Sequence, residues 1–376
     1  RPWGSWRPSG CTRKGRVIGM ERPARKQLND QLVRWLQERA AGAFAGELSL
    51  VVSYGSHWNG TAGPLSDVDC YFVPKTERGQ GFGGQFILQG MGYDIFPMSW
   101  ERLRGIARLE ESLAPLVGDA QVLYYGDEGD LTRFRALERE LRQCLQDSAY
   151  CREMAEKRFF RAGEEWGRLK TGDLCSRRLA AGLLLMDAAE AVAFVNGTYF
   201  HRGLKGQYGD LQAMAQTPEG FLTFYRQAIQ AGDAQALEEA CEALLAALGN
   251  WLGRERPAPA PVQQAAGPGQ RKDAAGLAPW YEELSSTFQK LRSCRERGNW
   301  VLAFLSAVCL QRELEGIALE YAVPRYQVLD AYQWDDLGPL VQAADRAEAE
   351  LTAAIRQSGG IIKEYDSWED FQAARL

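Results

Sequence analysis

The chain has 376 residues, with 44 lysines and arginines against 49 aspartates and glutamates, a net charge of −5. Its 45% hydrophobic and 25% charged residues are ordinary for a globular protein, and the length suggests two or three domains. This balance excludes wholesale disorder and gives no general attraction for nucleic acid or an anionic membrane. Only two histidines occur, His57 and His201, so the chain has too few of them for a histidine-rich metal site.

The cysteines and the N-terminal segment bear on compartment. Eight cysteines are scattered without a C-x-x-C pair, which argues against a zinc site and predicts reduced cysteines in a cytoplasmic protein. No run of 18 apolar residues occurs, so we expect no membrane span. Residues 1–19 are basic but lack the apolar core of a secretory signal, and we expect them to be an upstream segment before a natural start at Met20.

The next hundred residues mix helical and strand patterns. Residues 24–45 place apolar side chains on one helical face, and 99–116 predict a further helix. Short apolar runs bounded by turn residues predict strands between and after these helices. The runs are 48–54, 68–73, 86–88, 93–96 and 120–125. This mixture predicts an N-terminal domain of helices and a sheet over 20–126.

From residue 127 onward the pattern is almost wholly helical, which predicts an all-α bundle over 127–376. The Ala-, Leu-, Glu- and Arg-rich stretches are 130–169, 174–196, 208–230, 232–253, 279–321 and 336–357. Proline and glycine at 254–277 are too dense for a helix and predict a linker or loop. Residues 361–365 fit either a strand or a short helix.

One segment between the first two strands carries the chemistry. Gly55 and Ser56 end a strand in a turn that lets a phosphate approach the backbone closely, and a loop of small residues leads to Asp67 and Asp69. Because residues i and i+2 of a strand point to the same side, both carboxylates should project together. Such a pair repels unless a cation lies between, and Mg²⁺ commonly uses one or two carboxylates with substrate phosphates. The segment predicts phosphoryl or nucleotidyl transfer from a metal-bound triphosphate.

This pattern resembles the nucleotidyltransferase superfamily, the DNA polymerase beta-like fold, which carries Gly-Ser, a short loop, Asp-x-Asp and a third carboxylate on a later strand. The best third carboxylate is Asp94, among apolar neighbours 25 residues after Asp69. The resemblance implies an α+β protein: a nucleotidyltransferase domain with a mixed sheet and flanking helices, then a helical domain like that of kanamycin nucleotidyltransferase and similar antibiotic adenylyltransferases.

The resemblance also implies roles for the acids. Asp67 and Asp69 would bind Mg²⁺ or Mn²⁺, and Asp94 would complete the metal site or take the proton of the attacking hydroxyl. These three residues are therefore both the catalytic and the metal-binding candidates.

The nucleotide-binding candidates follow from the same resemblance, with ATP as the expected donor. They are Gly55, Ser56, Ser66 and Lys205, with Arg202 as a second choice for the cation that meets the triphosphate. The alternative for Lys205 is an ordinary basic residue near a helix C-terminus, where the helix dipole favours it.

Other features are weighed against simpler interpretations. Gly79–Gly84 fits G-x-G-x-x-G, but a strand follows it, so a loop is favoured over a dinucleotide site. His57 should border the cleft without a catalytic role, and His201 is ambiguous. Asp187 and Glu190 share a helical face and would meet a cationic acceptor or, as we favour, face solvent.

Three functions stay open at this point. The first is transfer of AMP from ATP to a hydroxyl of a small molecule, with an aminoglycoside-like antibiotic as the leading acceptor by resemblance. The second keeps the chemistry but uses a protein side chain or another nucleotide as acceptor. The third, a non-catalytic nucleotide-binding module, is disfavoured because all three carboxylates are present. A nucleic-acid substrate is disfavoured by the lack of a basic face, and related enzymes suggest a homodimer.

Overall fold

The computed structural model describes residues 22–55, 57–58, 67–255 and 271–375. The predictions for Ser56, for Ser66 and for the segment 1–19 therefore lie outside the described residues, as does the 256–270 part of the predicted linker.

The described residues form one six-stranded mixed sheet, whose five longer strands match the five predicted runs. The strands are β1 (Leu48–Tyr54), β2 (Asp69–Pro74), β3 (Gly84–Leu88), β4 (Met91–Pro97), β5 (Gln121–Tyr125) and β6 (Glu364–Tyr365). Their order is β5-β1-β2-β4-β3-β6; β2 pairs with β4 and β3 with β6 in parallel, and the other pairs are antiparallel. The short β6 joins the sheet from the far end of the chain.

The helices of the N-terminal part are shorter than the sequence predicts. They are α1 (Arg22–Ala41), α2 (Glu77–Gln80), α3 (Trp100–Ala107) and α4 (Pro115–Gly118). A continuous helix over 99–116 is wrong, because Leu109 has a φ of +60°, which no α-helix accommodates. The Gly-rich run after α2 leads directly into β3, in agreement with its expected role as a connection.

The rest of the chain is mostly helical, which confirms the α+β fold class. The helices are α5 (Glu128–Gln146), α6 (Ser148–Leu169), α7 (Leu174–Val195), α8 (Gln207–Ala213), α9 (Phe221–Gln230), α10 (Ala234–Leu252), α11 (Ala278–Arg297), α12 (Trp300–Glu320), α13 (Gly338–Gln357) and α14 (Trp368–Arg375). Three predicted stretches are split. Asp147 accepts hydrogen bonds from the first turn of α6, Gly298 ends α11 in the left-handed conformation, and residues 214–220 separate α8 from α9.

The sheet separates two hydrophobic cores. In β2, Cys70 and Phe72 face the core shared with α1 and α14, whereas Tyr71 and Val73 face the core of the helical bundle. Alternation along the strand therefore puts Asp69 on the bundle side, with Tyr71.

Helix α11 is the part of the bundle that lies closest to the sheet, against β3 and β4. A Cβ at Gly92 would lie 2.4 Å from the carbonyl oxygen of Glu282 and from Ser285 Oγ, so glycine is what permits this approach. The fully buried Glu282 also accepts a 2.6 Å hydrogen bond from the backbone N–H of Lys363, just before β6. The tail therefore links α11 to the sheet.

The described residues also bear on the expectations for membrane spans, for the cysteines and for the linker. None of their helices is long and apolar enough to cross a membrane, and their seven cysteines are free. The end of the predicted linker is packed, because Ala274 and Leu277 in a 3₁₀ helix are buried.

Candidate active site

Two of the three predicted acids lie side by side on the bundle face of the sheet. In the parallel pair of β2 and β4, Cys70 lies opposite Ile95. The residues immediately before them, Asp69 and Asp94, therefore occupy neighbouring positions, and in-register neighbours point to the same face. Asp67 precedes Asp69 by two residues, and its charge is the largest charged influence on the pKa of Asp69. We call Asp67, Asp69 and Asp94 the sheet wall of the site.

The end of β1 lies close to Asp69. Tyr54 pairs with Asp69 across β1 and β2, and Gly55 follows with a φ of +85°, a conformation that side chains other than glycine rarely adopt. A Cβ on Gly55 would lie 2.8 Å from Asp69 Oδ2. The glycine therefore leaves the backbone turn open directly beside the carboxylate.

The sheet wall is under electrostatic strain in the absence of a cation. Burial and the negative charges of Asp67 and Asp94 raise the pKa of Asp69 to about 7, against opposing effects from two lysines. Burial also raises the pKa of Asp94, although Gln85 Nε2 donates a 2.7 Å hydrogen bond to its Oδ1 and partly offsets the rise. A bound cation would relieve this cost.

The donor set fits a hard divalent ion that is shared with a substrate. Carboxylate oxygens suit Mg²⁺ or Mn²⁺, and the close glycine turn leaves room for phosphate oxygens beside Asp69. Within the described ranges, no group of three or more histidine, cysteine, aspartate or glutamate side chains is arranged to hold a metal ion. Asp67, Asp69 and Asp94 thus do not form a three-acid metal cage among the described residues.

Two lysines from the helical part face the sheet wall. They are Lys205, at the end of the 3₁₀ helix Gly203–Lys205, and Lys290, on α11; the positive charge of each lowers the pKa of Asp69. Lys205 is the cation expected from the sequence. Arg202, the second choice, is engaged in a 2.6 Å ion pair with Asp210.

Glu283 completes the facing side. Its pKa is raised to about 7 by loss of hydration and by the negative charges of Asp94 and Glu313. We call Lys205, Glu283 and Lys290 the helical wall.

Sequence reasoning missed Lys290 and Glu283. The available signal was their spacing on α11: Glu283, Thr287 and Lys290 stand at i, i+4 and i+7 and share one face of the helix. That spacing does not say which face meets the acids. Only the packing of α11 against β4 does so.

The segment after Gly55 turns toward α1. His57 Nε2 lies 3.3 Å from Asp30 Oδ1, and desolvation lowers the pKa of this histidine. Trp58 Nε1 donates a 2.8 Å hydrogen bond to Ser53 Oγ. The expected lack of a catalytic role for His57 stays a prediction.

The expectation that Asp187 and Glu190 face solvent is wrong. Asp187 is only 8% exposed, and Glu190 Oε2 pairs with Arg158 Nε at 2.8 Å. Ser112 Oγ donates a 2.8 Å hydrogen bond to the same Glu190 oxygen. The pair belongs to a buried network that joins α6 and α7 to the segment after α3, because a buried carboxylate needs partners.

Two surface grooves lie away from the acids. One runs along β5 and includes Tyr125 and Arg135; the other lies between α7 and α8 and includes Tyr199 and Asp210. Neither is lined by a residue of the sheet wall.

Comparisons with known proteins show no family for this chain. No family model matches it, and no curated protein matches it. Among solved structures, it is similar to a nucleotidyltransferase-like protein from Exiguobacterium sibiricum 255-15, at 12% identity and a TM-score of 0.32, covering 71% of this chain and 80% of that one. A similarity at this level leaves the activity to be judged from the chain's own residues.

Proposed function

We propose that this protein transfers a nucleoside monophosphate, AMP from ATP, to a hydroxyl group of a small molecule. The observation that carries the proposal is the placement of Asp69 and Asp94 on neighbouring strands. It is supported by Lys205 and Lys290, whose positive charges lower the pKa of Asp69. Acids on one side and cations on the other suit a metal-bound triphosphate, whose transfer depends mainly on positioning and charge neutralisation.

The donor would bind between the two walls. The glycine turn at Gly55 admits phosphate oxygens next to Asp69, since a side chain there would occupy that space. Lys205 and Lys290 would neutralise phosphate charge from the opposite side. Their separate origins, a 3₁₀ helix and α11, allow them to reach different phosphates of one triphosphate.

Asp67 and Asp69 would hold Mg²⁺ or Mn²⁺ together with phosphate oxygens. Bound there, the ion supplies charge neutralisation on the phosphates and keeps Asp69 ionised at neutral pH. Asp94 lies beside Asp69 and has a raised pKa, which suits it to accept a proton. The acceptor oxygen attacks the α-phosphorus, the bond to pyrophosphate breaks, and the hydroxyl proton passes to the Asp94 carboxylate.

The helical wall also supports a class of acceptor. Glu283 lies across from Asp94, and Glu313 adds a further negative charge. Besides its two lysines, the helical wall thus offers carboxylates near Asp94 that suit an acceptor with amino groups, so an aminoglycoside-like antibiotic stays the first candidate. A protein side chain or a second nucleotide is the alternative acceptor.

The proposal is tested with ATP and GTP labelled at the α-phosphate, Mg²⁺ or Mn²⁺, and a panel of acceptors. The panel contains aminoglycosides, lincosamides, nucleotides and the protein itself. A labelled antibiotic supports the proposal, and labelled protein or nucleotide supports the alternative acceptors. Label transfer to no acceptor, with ATP still bound, would favour a binding module. Asp69→Asn should slow transfer strongly, whereas Asp366→Asn, at an exposed position after β6, should not.

A further inference from the structure

The segment between α7 and α8 carries the second of the two histidines and connects the helical bundle to the sheet region. His201 Nδ1 lies 2.9 Å from both carboxylate oxygens of Asp119. Asp119 directly follows α4 and precedes β5 by two residues. The pair therefore joins two parts of the chain that are 82 residues apart.

The neighbouring residues fix this contact sterically. A Cβ on Gly118 would lie 2.0 Å from the hydroxyl oxygen of Tyr199, so the absence of a side chain lets the tyrosine approach the turn before β5. The Tyr199 ring also packs against the His201 ring, with centroids 4.2 Å apart. His201 is thus held by an ion pair on one side and by a ring on the other.

Lys205 follows His201 by only four residues, so the two residues lie in one short segment of the backbone. The 3₁₀ helix Gly203–Lys205 begins two residues after the histidine, and Arg202 is tied to Asp210 on α8 at 2.6 Å. The His201–Asp119 contact therefore anchors the segment that leads into this short helix on one side, and the Arg202–Asp210 ion pair anchors it on the other.

We propose that the His201–Asp119 pair positions Lys205 for the triphosphate, so that it acts as a positioning pair and not as a catalytic one. The inference rests on the proposed function, because it assigns a role to the contact only if Lys205 meets phosphate. It also gives the second histidine a role that its sequence position leaves ambiguous.

The strength of the His201–Asp119 contact should decrease as the pH rises. The hydrogen bond with Asp119, and the charges of Asp119 and Asp210, raise the pKa of His201. The groups that face the ring are Asp119 from the turn before β5, Asp210 from α8, and Tyr199 and Arg202 from its own segment. Below its pKa the contact is an ion pair, and above it a neutral hydrogen bond. The His201–Asp119 contact that positions Lys205 should therefore weaken as the pH rises through the pKa of His201.

Equilibrium binding of a fluorescent ATP analogue with Mg²⁺ tests the inference. His201→Gln should weaken binding about tenfold, or about 1.4 kcal/mol. It should also remove the part of the pH dependence of Kd that comes from His201, while the part from Asp69 and Glu283 stays. KM for ATP should rise while kcat changes little. Because His201 is exposed, the variant should fold, and Asp119→Asn should act in the same direction. Lys157→Gln, which changes an exposed side chain on α6 away from the site, is the control and should bind like the parent.

A double-mutant cycle separates positioning from a general structural effect. If His201 acts through Lys205, the variant that combines His201→Gln with Lys205→Gln should bind no more weakly than Lys205→Gln alone. Additive losses, or parent-like binding by His201→Gln, would overturn the inference while leaving the proposed function intact. A parent protein that binds no nucleoside triphosphate would overturn both.

Histidine NMR supplies a readout that does not need the nucleotide. The chain has only two histidines, so His57→Gln and His201→Gln assign both titrations. His201 should titrate above its ordinary value and move down in Asp119→Asn, whereas His57 should stay unchanged. A His201 titration that ignores Asp119→Asn would contradict the pair itself.

Discussion

The two walls of the candidate site are built in different ways. The sheet wall comes from residues 67–94, where strand alternation and register align the carboxylates. The helical wall gathers Lys205 from a 3₁₀ helix and Glu283 and Lys290 from α11, about 80 residues later in the chain. The acids proposed to bind the metal thus lie on one local part of the sheet, whereas the positions of the groups proposed to meet the substrate depend on how the bundle packs.

The largest expected effect tests the sheet wall. Asp69→Asn removes the carboxylate beside the open Gly55 turn, and nucleotidyl transfer should fall on the order of 10²–10³-fold, the loss typical when one preorganised electrostatic group is removed. Rates of transfer from α-labelled ATP measure it. Equal rates in Asp69→Asn and its control Asp366→Asn would show that the wall has no part in the reaction.

The same wall should make the ligand-free protein less stable as the pH rises. The pKa of Asp69 is about 7 in the folded protein, above the ordinary value of 3.8, so the folded state holds the proton more tightly. Its contribution is therefore present below pH 4 and is lost as the pH rises from 4 to 7, by about 1.4 kcal/mol for each pKa unit. Glu283 adds an effect of the same sign.

Urea unfolding at pH 5 and pH 8 checks this sign. The parent should lose more stability between the two pH values than Asp69→Asn, which cannot ionise there. If the variant and the parent show the same difference, Asp69 does not carry the raised pKa.

A smaller effect comes from the contact that brings the walls together. Gly92→Ala would place a Cβ 2.4 Å from the carbonyl oxygen of Glu282, so α11 must shift; we expect a loss of about 1–3 kcal/mol in the free energy of unfolding. Gly316→Ala, on an exposed part of α12 with open space at the Cβ, should be neutral or slightly stabilising. Thermal melts of the two variants make the comparison, and equal melts would place α11 further from β4.

The smallest of these effects tests the helical wall alone. Lys290→Gln removes one of the two cations opposite Asp69, and KM for ATP should rise about tenfold, since one phosphate contact is lost while the acids stay in place. Lys157→Gln, which removes an exposed lysine paired with Glu153 on α6, is the control. A parent-like KM in Lys290→Gln would leave Lys205 as the cation that meets the donor.

Sequence reasoning succeeds where neighbours along the chain decide the structure. All five predicted strands occur. Alternation predicted that Asp67 and Asp69 project together, although β2 begins only at Asp69. Asp94 was expected from the family resemblance, and the strand register places it beside Asp69. Asp147 and Gly298 broke the predicted long helices because a cap or a left-handed residue ends a helix within an otherwise helical composition.

The rest depends on contacts that no local pattern encodes. The packing of α11 against Gly92 determines which face of this helix meets the sheet. Glu190 is buried because it forms an ion pair with Arg158 on another helix. Glu364 and Tyr365 become a strand only because the edge of β3 is available to them. All three contacts join segments that are far apart in the chain.

The most direct test of the shared site is Mn²⁺ binding, followed by electron paramagnetic resonance, with and without a non-hydrolysable ATP analogue. If the acids share the ion with the triphosphate, the parent should bind Mn²⁺ much more tightly with the analogue present, and Asp69→Asn should lose most of that gain. Equal Mn²⁺ binding by the parent and Asp69→Asn, or binding by the parent that ignores the analogue, would contradict the site described here.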